Sequence, residues 1–77
     1  MICRLSEMKE GSSGRIRALP EGLPSLARLR EMGLLPGTEL KFIRRAPLGD
    51  PLEFAVRGAL LSLRGTEAAL IEVEVIT

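Results

Sequence analysis

Leu52-Glu53-Phe54-Ala55-Val56-Arg57-Gly58-Ala59-Leu60-Leu61-Ser62-Leu63-Arg64 carries the pattern on which the fold turns. Leu52, Phe54 and Val56 alternate with Glu53, Ala55 and Arg57, the period of two by which a strand buries one face. Gly58 supplies a tight turn, after which Leu61 and Leu63 resume the apolar side in a second strand. Outward from this pair the pattern recurs. Ile71-Glu72-Val73-Glu74-Val75 is the cleanest alternation, and Thr38 to Arg45 places Leu40 and Phe42 on one face with Ile43 on the other. Arg15-Ile16-Arg17-Ala18-Leu19 alternates after the turn cluster Gly11-Ser12-Ser13-Gly14, and Ile2 to Leu5 reads as an edge strand.

One segment keeps a helical period. Between Leu23 and Met32, Leu26, Leu29 and Met32 recur at every third residue with Leu23 extending the stripe, and those three are expected on the core side. Pro24 and Ser25 suit a helix start. Gly33 stands where a left-handed terminating residue belongs, Leu34 can fold back onto the last turn, and Pro36 stops the helix resuming. Thr66 to Leu70 is long enough for one helical turn. The expected architecture is therefore all-β (mainly β): a small barrel of about five strands in a single domain over residues 1–77, with one short α-helix and a single helical turn.

Composition removes several functions. The chain has 77 residues, 45% of them hydrophobic, and Phe42 and Phe54 are its only aromatic side chains, so the core is aliphatic and must use most of the apolar supply. Eleven basic against ten acidic residues leave +1, too small a field to point at DNA, RNA or anionic lipid. The absence of histidine removes Ser-His and Cys-His nucleophile pairs and the commonest ligand for zinc and iron. No enzyme is expected. Cys3 is the single cysteine, in keeping with a reducing cytoplasm. The first residues meet charge at once, and no stretch approaches the ~18 apolar residues of a membrane helix. The expectation is a cytoplasmic protein whose business at a membrane runs through a partner.

Two segments stand out as candidate surfaces. Arg44-Arg45-Ala46-Pro47-Leu48-Gly49-Asp50-Pro51 holds two prolines that fix the backbone and Gly49 at the bend. Its plain reading is a rigid hairpin turn; its functional one is a binding loop in which Arg44 and Arg45 flank Pro47 and Leu48. The helix exit, Gly33-Leu34-Leu35-Pro36-Gly37, is the other. Consecutive leucines cannot both face one core, so Leu34 or Leu35 is left for a partner. Together Leu34, Leu35, Arg44, Arg45, Pro47 and Leu48 form the expected partner-facing surface, with Gly33, Gly37, Gly49 and Gly58 as structural turns. Arg15 and Arg17 should pair across strands with Glu72 and Glu74.

In order and spacing, the segments Leu5 to Gly11, Gly14 to Ile16, Leu29 to Thr38, Arg44 to Leu52 and Leu61 to Ala68 resemble the FeoA family, ferrous iron transport protein A. The resemblance covers nearly the whole chain. It implies an SH3-like barrel acting as an adapter on the cytosolic part of FeoB, the GTP-driven membrane transporter of ferrous iron. It also implies a linkage to transition metal, as weakly held ferrous iron or zinc with no ligand set assigned. The same module occurs at the C-terminus of DtxR-type repressors, so a metal- or peptide-sensing domain without its own DNA-binding segment is the alternative. An uncovered apolar patch or edge strand would also allow a homo-oligomer.

Overall fold

The alternating segments form strands in the computed structural model, which covers all 77 residues. The strands are β1 (Ile2–Arg4), β2 (Ser13–Ala18), β3 (Glu39–Arg45), β4 (Leu52–Val56), β5 (Ala59–Leu63) and β6 (Glu72–Val75). A 3-10 turn at Leu5–Glu7 and the helices α1 (Pro24–Glu31) and α2 (Gly65–Ala68) complete the chain. There are thus six strands where about five were expected, because the opening segment pairs in full with β6. All neighbours are antiparallel, in the order β1-β6-β2-β3-β4-β5. The Met1 carbonyl accepts the Val75 N–H and the Thr77 carbonyl accepts the Ser13 N–H, so the two ends of the chain lie side by side.

Register follows the apolar alternation. Phe42 faces Phe54, which faces Leu61, and Ile16 faces Val73. The two phenyl rings stack with centroids 4.9 Å apart and planes 24° from parallel. They belong to a core of 16 buried residues drawn from every strand but β1, from α1 and α2, from the Leu5–Met8 segment, and from Leu34 and Ile71 in loops. Bulges fall after Ile16 in β2 and after Phe42 in β3. Each adds a residue to one strand and sharpens its twist, which lets six strands curl around one core. The β4–β5 turn uses two left-handed residues, Arg57 (φ 52°) and Gly58 (φ 82°), the combination that matches the twist of a two-residue hairpin.

β2 begins at Ser13, earlier than its alternation suggests, and the reason is Gly14. This residue is buried against β6, and a Cβ there would sit 2.7 Å from Val73 Cγ2 and 3.0 Å from the Glu74 carbonyl oxygen. Gly14 is therefore a close approach between strands, where the sequence suggests a turn.

The core stripe of α1 is shorter than expected. Leu26 and Leu29 are fully buried, but Leu23 and Met32 are exposed. Leu23 precedes the helix in extended conformation, and Met32 caps it at φ −85°, ψ 2°, so neither continues the helical phase. Leu34 takes the vacant core position. The Leu34 N–H donates to the Leu29 carbonyl and the Gly33 N–H to the Arg30 carbonyl, both at 3.0 Å. With Gly33 at φ 101° this is a Schellman ending, which turns Leu34 back onto Leu29.

Phe54→Ala should lower unfolding free energy by about 3–5 kcal/mol through lost burial and a cavity. Gly14→Ala should cost about 1–3 kcal/mol by the opposite route, overpacking. Denaturant midpoints test both; a Gly14→Ala midpoint equal to that of the parent would refute the close-approach reading.

Candidate partner-binding surface

The Pro-rich hairpin between β3 and β4 is fixed by its own neck bonds, by β4, and by contacts with the Ser6–Glu10 segment and the start of α2. Its neck closes through the Ala46 N–H on the Pro51 carbonyl (2.9 Å), and its bend through the Gly49 N–H on the Ala46 carbonyl (2.7 Å). Gly49 has φ 92°, and the Asp50-Pro51 bond is cis. Arg44 Nε donates to Glu53 Oε1 at 2.7 Å, and this hydrogen bond is the main cause that raises the Arg44 pKa. The Arg45 guanidinium lies 5.2 Å from the Phe42 ring centroid and donates to the Ser6 carbonyl at 2.7 Å. The Arg45 N–H donates to Glu10 Oε2, also at 2.7 Å.

On the far side, Asp50 Oδ1 accepts the Gly65 N–H and so caps α2 from another loop. The buried Glu67 carboxylate completes that corner, with Oε1 accepting the Arg64 N–H (2.9 Å) and Oε2 facing Arg28 Nη2 of α1 (3.4 Å). These bonds hold the hairpin while leaving its tip free. Pro47 is exposed, and Leu48 is 98% exposed, the most open large apolar side chain of the chain.

The helix exit is a separate place. Leu34 is fully buried and Leu35 is 42% exposed, so the leucine pair divides, and Leu34 leaves the expected surface. Gly37 turns at φ 91° and donates its N–H to the Ile16 carbonyl at 2.8 Å. Thr38 Oγ1 donates to the Gly33 carbonyl (3.1 Å) and accepts the Leu35 N–H (3.4 Å), which fixes the leucine pair. Leu35 precedes β3 and Leu48 follows it. The seven residues of that strand set the two apart by roughly 20 Å. The candidate residues thus form two surfaces at opposite ends of β3.

Asp50, Thr38 and Glu67 position these surfaces, and sequence reasoning passed over all three. Only the Asp-Pro pair in a turn, and a Glu three residues after Arg64 at a helix start, hint at two of them. Among the charged pairs, Arg17 meets Glu72 at 3.4 Å as expected, whereas Arg15 pairs with Glu39 at 3.0 Å and not with Glu74, which stands opposite it on β6.

The side chains do not fit a resident transition-metal ion within one chain. Histidine is absent, and no three Cys, Asp or Glu side chains converge. Cys3 is half-buried, and its thiol pKa is pushed up, first by burial and then by the Glu7 carboxylate. No helix is long and apolar enough to cross a membrane.

A curled antiparallel barrel with a clamped hairpin and a helix plugging its core defines a module of the SH3-like type. The FeoA domain model matches residues 3–75, and the chain belongs to the FeoA family, which is associated with ferrous iron transport. It is 35% identical over 74 residues to the Fe(2+) transport protein A/Fe(2+) transporter FeoB fusion protein of Porphyromonas gingivalis, spanning 96% of this chain and 9% of that one. The solution structure of FeoA from Chlorobium tepidum matches with TM-score 0.87 and 39% identity over 96% of this chain and 70% of that one. The FeoA of Stenotrophomonas maltophilia, a prokaryotic SH3 domain protein complexed with zinc, matches with TM-score 0.77 and 29% identity over 92% and 88%. A manganese-dependent transcriptional repressor shares the fold alone, with TM-score 0.87 at 19% identity over 97% of this chain and 37% of that one.

Two outcomes follow from this chemistry. Cys3 should alkylate with iodoacetamide more slowly in the folded chain than in denaturant at equal pH. Its raised pKa means that stability is whole below the unfolded value near 9.0 and declines as pH rises through the folded one. A folded rate equal to the unfolded rate would contradict this. Titration calorimetry with zinc on the monomer should show binding weaker than about 1 μM, and a tight stoichiometric site surviving Cys3→Ser would overturn the ligand inventory.

Proposed function

We propose that this chain is a cytoplasmic accessory protein of ferrous iron uptake that binds the cytosolic part of the FeoB transporter through the hairpin of Arg44, Arg45, Pro47 and Leu48. One observation carries the reading. A relative 35% identical over 74 residues is a fusion of the A protein with the FeoB transporter. Joining two proteins in one polypeptide raises their effective concentration, which profits a pair that already meets. Ferrous iron is then the transporter's cargo, and this chain needs no ligands for it.

The hairpin suits the contact on physical grounds. Leu48 is an exposed apolar anchor on a loop whose base is already fixed by bonds, so the loop backbone loses little conformational entropy on binding. Arg44 is exposed in β3 at the base of the same hairpin and supplies orientation and on-rate. Leu35, at the far end of β3, belongs to a different contact or to none.

Leu48→Glu and Arg44→Glu, each confirmed folded, should weaken binding to the purified cytosolic domain of the transporter by about tenfold or more, and Leu35→Glu should leave it near the parent value. Parent-like binding by both hairpin variants would remove the hairpin from the contact. No binding by the parent chain would remove the adapter role itself.

A further inference from the structure

The two outer strands of the sheet are protected unequally. β1 is three residues long, and its outward Arg4 N–H is already occupied by Glu7 Oε1 at 2.7 Å. A short edge whose donor is covered by a carboxylate resists further pairing. β5 has no such device. It runs Ala59-Leu60-Leu61-Ser62-Leu63 without proline, charge or bulge.

The register fixes which of its groups are free. Val56 opposite Ala59 across a two-residue turn is a hydrogen-bonded pair, so Phe54 with Leu61 and Leu52 with Leu63 are bonded pairs too. The N–H and C=O groups of Leu60 and Ser62 therefore point away from β4, and none of them takes a partner in a turn, loop or cap. On the core side of β5, Leu61 and Leu63 belong to the same buried cluster as Leu26 and Leu29 of α1. The outer side is open, with Ser62 exposed and Leu60 71% exposed.

Charge selects the occupant. Arg57 precedes β5 and Arg64 follows it, and neither side chain takes part in an ion pair. In an antiparallel pairing of two copies centred on Leu60 or Leu61, Arg57 of one lies within one position of Arg64 of the other, at both ends. Like charges so placed repel in a dehydrating interface. An extended segment with carboxylates at its two ends meets the opposite situation.

We propose that the β5 edge is a second binding site, which adds to the sheet an extended, apolar partner segment flanked by acidic residues. Main-chain bonds to Leu60 and Ser62 supply affinity, Leu60 packs against the added strand's outer face, and Arg57 and Arg64 select the charge at its ends. The Arg64 end of this edge adjoins the base of the Pro-rich hairpin, where Asp50 bonds Gly65, but the site does not depend on the transporter reading.

The test uses the whole chain and a blocked synthetic peptide of alternating Val and Thr with Glu at both ends, beside the same peptide with Lys ends. By NMR, the acidic peptide should shift the amides of Leu60 and Ser62 and slow their hydrogen exchange. The Lys-ended peptide should bind about tenfold or more weakly. Ser62→Pro removes an outward donor without touching the β4 ladder, and it should abolish binding. Leu60→Lys, at an exposed side chain, should weaken it and serves if Ser62→Pro unfolds. No binding, shifts away from β5, or indifference to the end charge would each overturn the proposal. A concentration-dependent dimer lost in Ser62→Pro would overturn it in favour of a second copy.

Discussion

The stacking of Phe42 on Phe54 is the contact around which the rest is arranged. These are the only aromatic rings in the chain, both are fully buried, and they face each other across β3 and β4. In a core otherwise built of aliphatic side chains they fill the largest single volume, and they fix the register of the central strand pair. The bulge immediately after Phe42 leaves Ile43 partly exposed and aligns Arg44 with Glu53. Arg45 then covers the Phe42 ring from outside. One ring thus links the centre of the barrel to the base of the hairpin, so the loop inherits the rigidity of the core.

The corner around α2 extends the same logic with polar groups. A four-residue helix cannot hold itself together, since nucleation is unfavourable and its end groups lack partners. Asp50 satisfies Gly65, and Glu67 satisfies Arg64 while facing Arg28. The hairpin, α2 and α1 are therefore linked by two carboxylates, and neither carboxylate is spare for a ligand. Charge that looks available in the composition is already committed to architecture.

Much of this was legible in the residue order. The strand faces of 52–56, 61–63 and 71–75, the helix between Leu23 and Met32, and the left-handed Gly33 follow from local period and turn chemistry, and local rules suffice for them. What escaped depends on contacts between distant segments. Gly14 reads as a turn glycine in sequence, and only the proximity of Val73 makes it a packing residue. Met32 keeps the helical period, but the chain leaves the helix one residue earlier, and Leu34 fills the place. The candidate surface divided for the same reason. Leu35 and Arg44 are nine positions apart in sequence, yet an extended strand turns that short interval into nearly the length of the barrel.

The adjacency of Met1 with Val75, and of Ser13 with Thr77, has a topological meaning. A unit whose entry and exit lie side by side can be spliced into a longer polypeptide as a self-contained bead, because the path of the host chain is scarcely lengthened or redirected. The hairpin tip and the helix exit remain loops within the bead, and neither has to be cut to make the splice. Transfer between free and covalently joined forms then becomes a change of wiring alone, with the barrel itself left as it is.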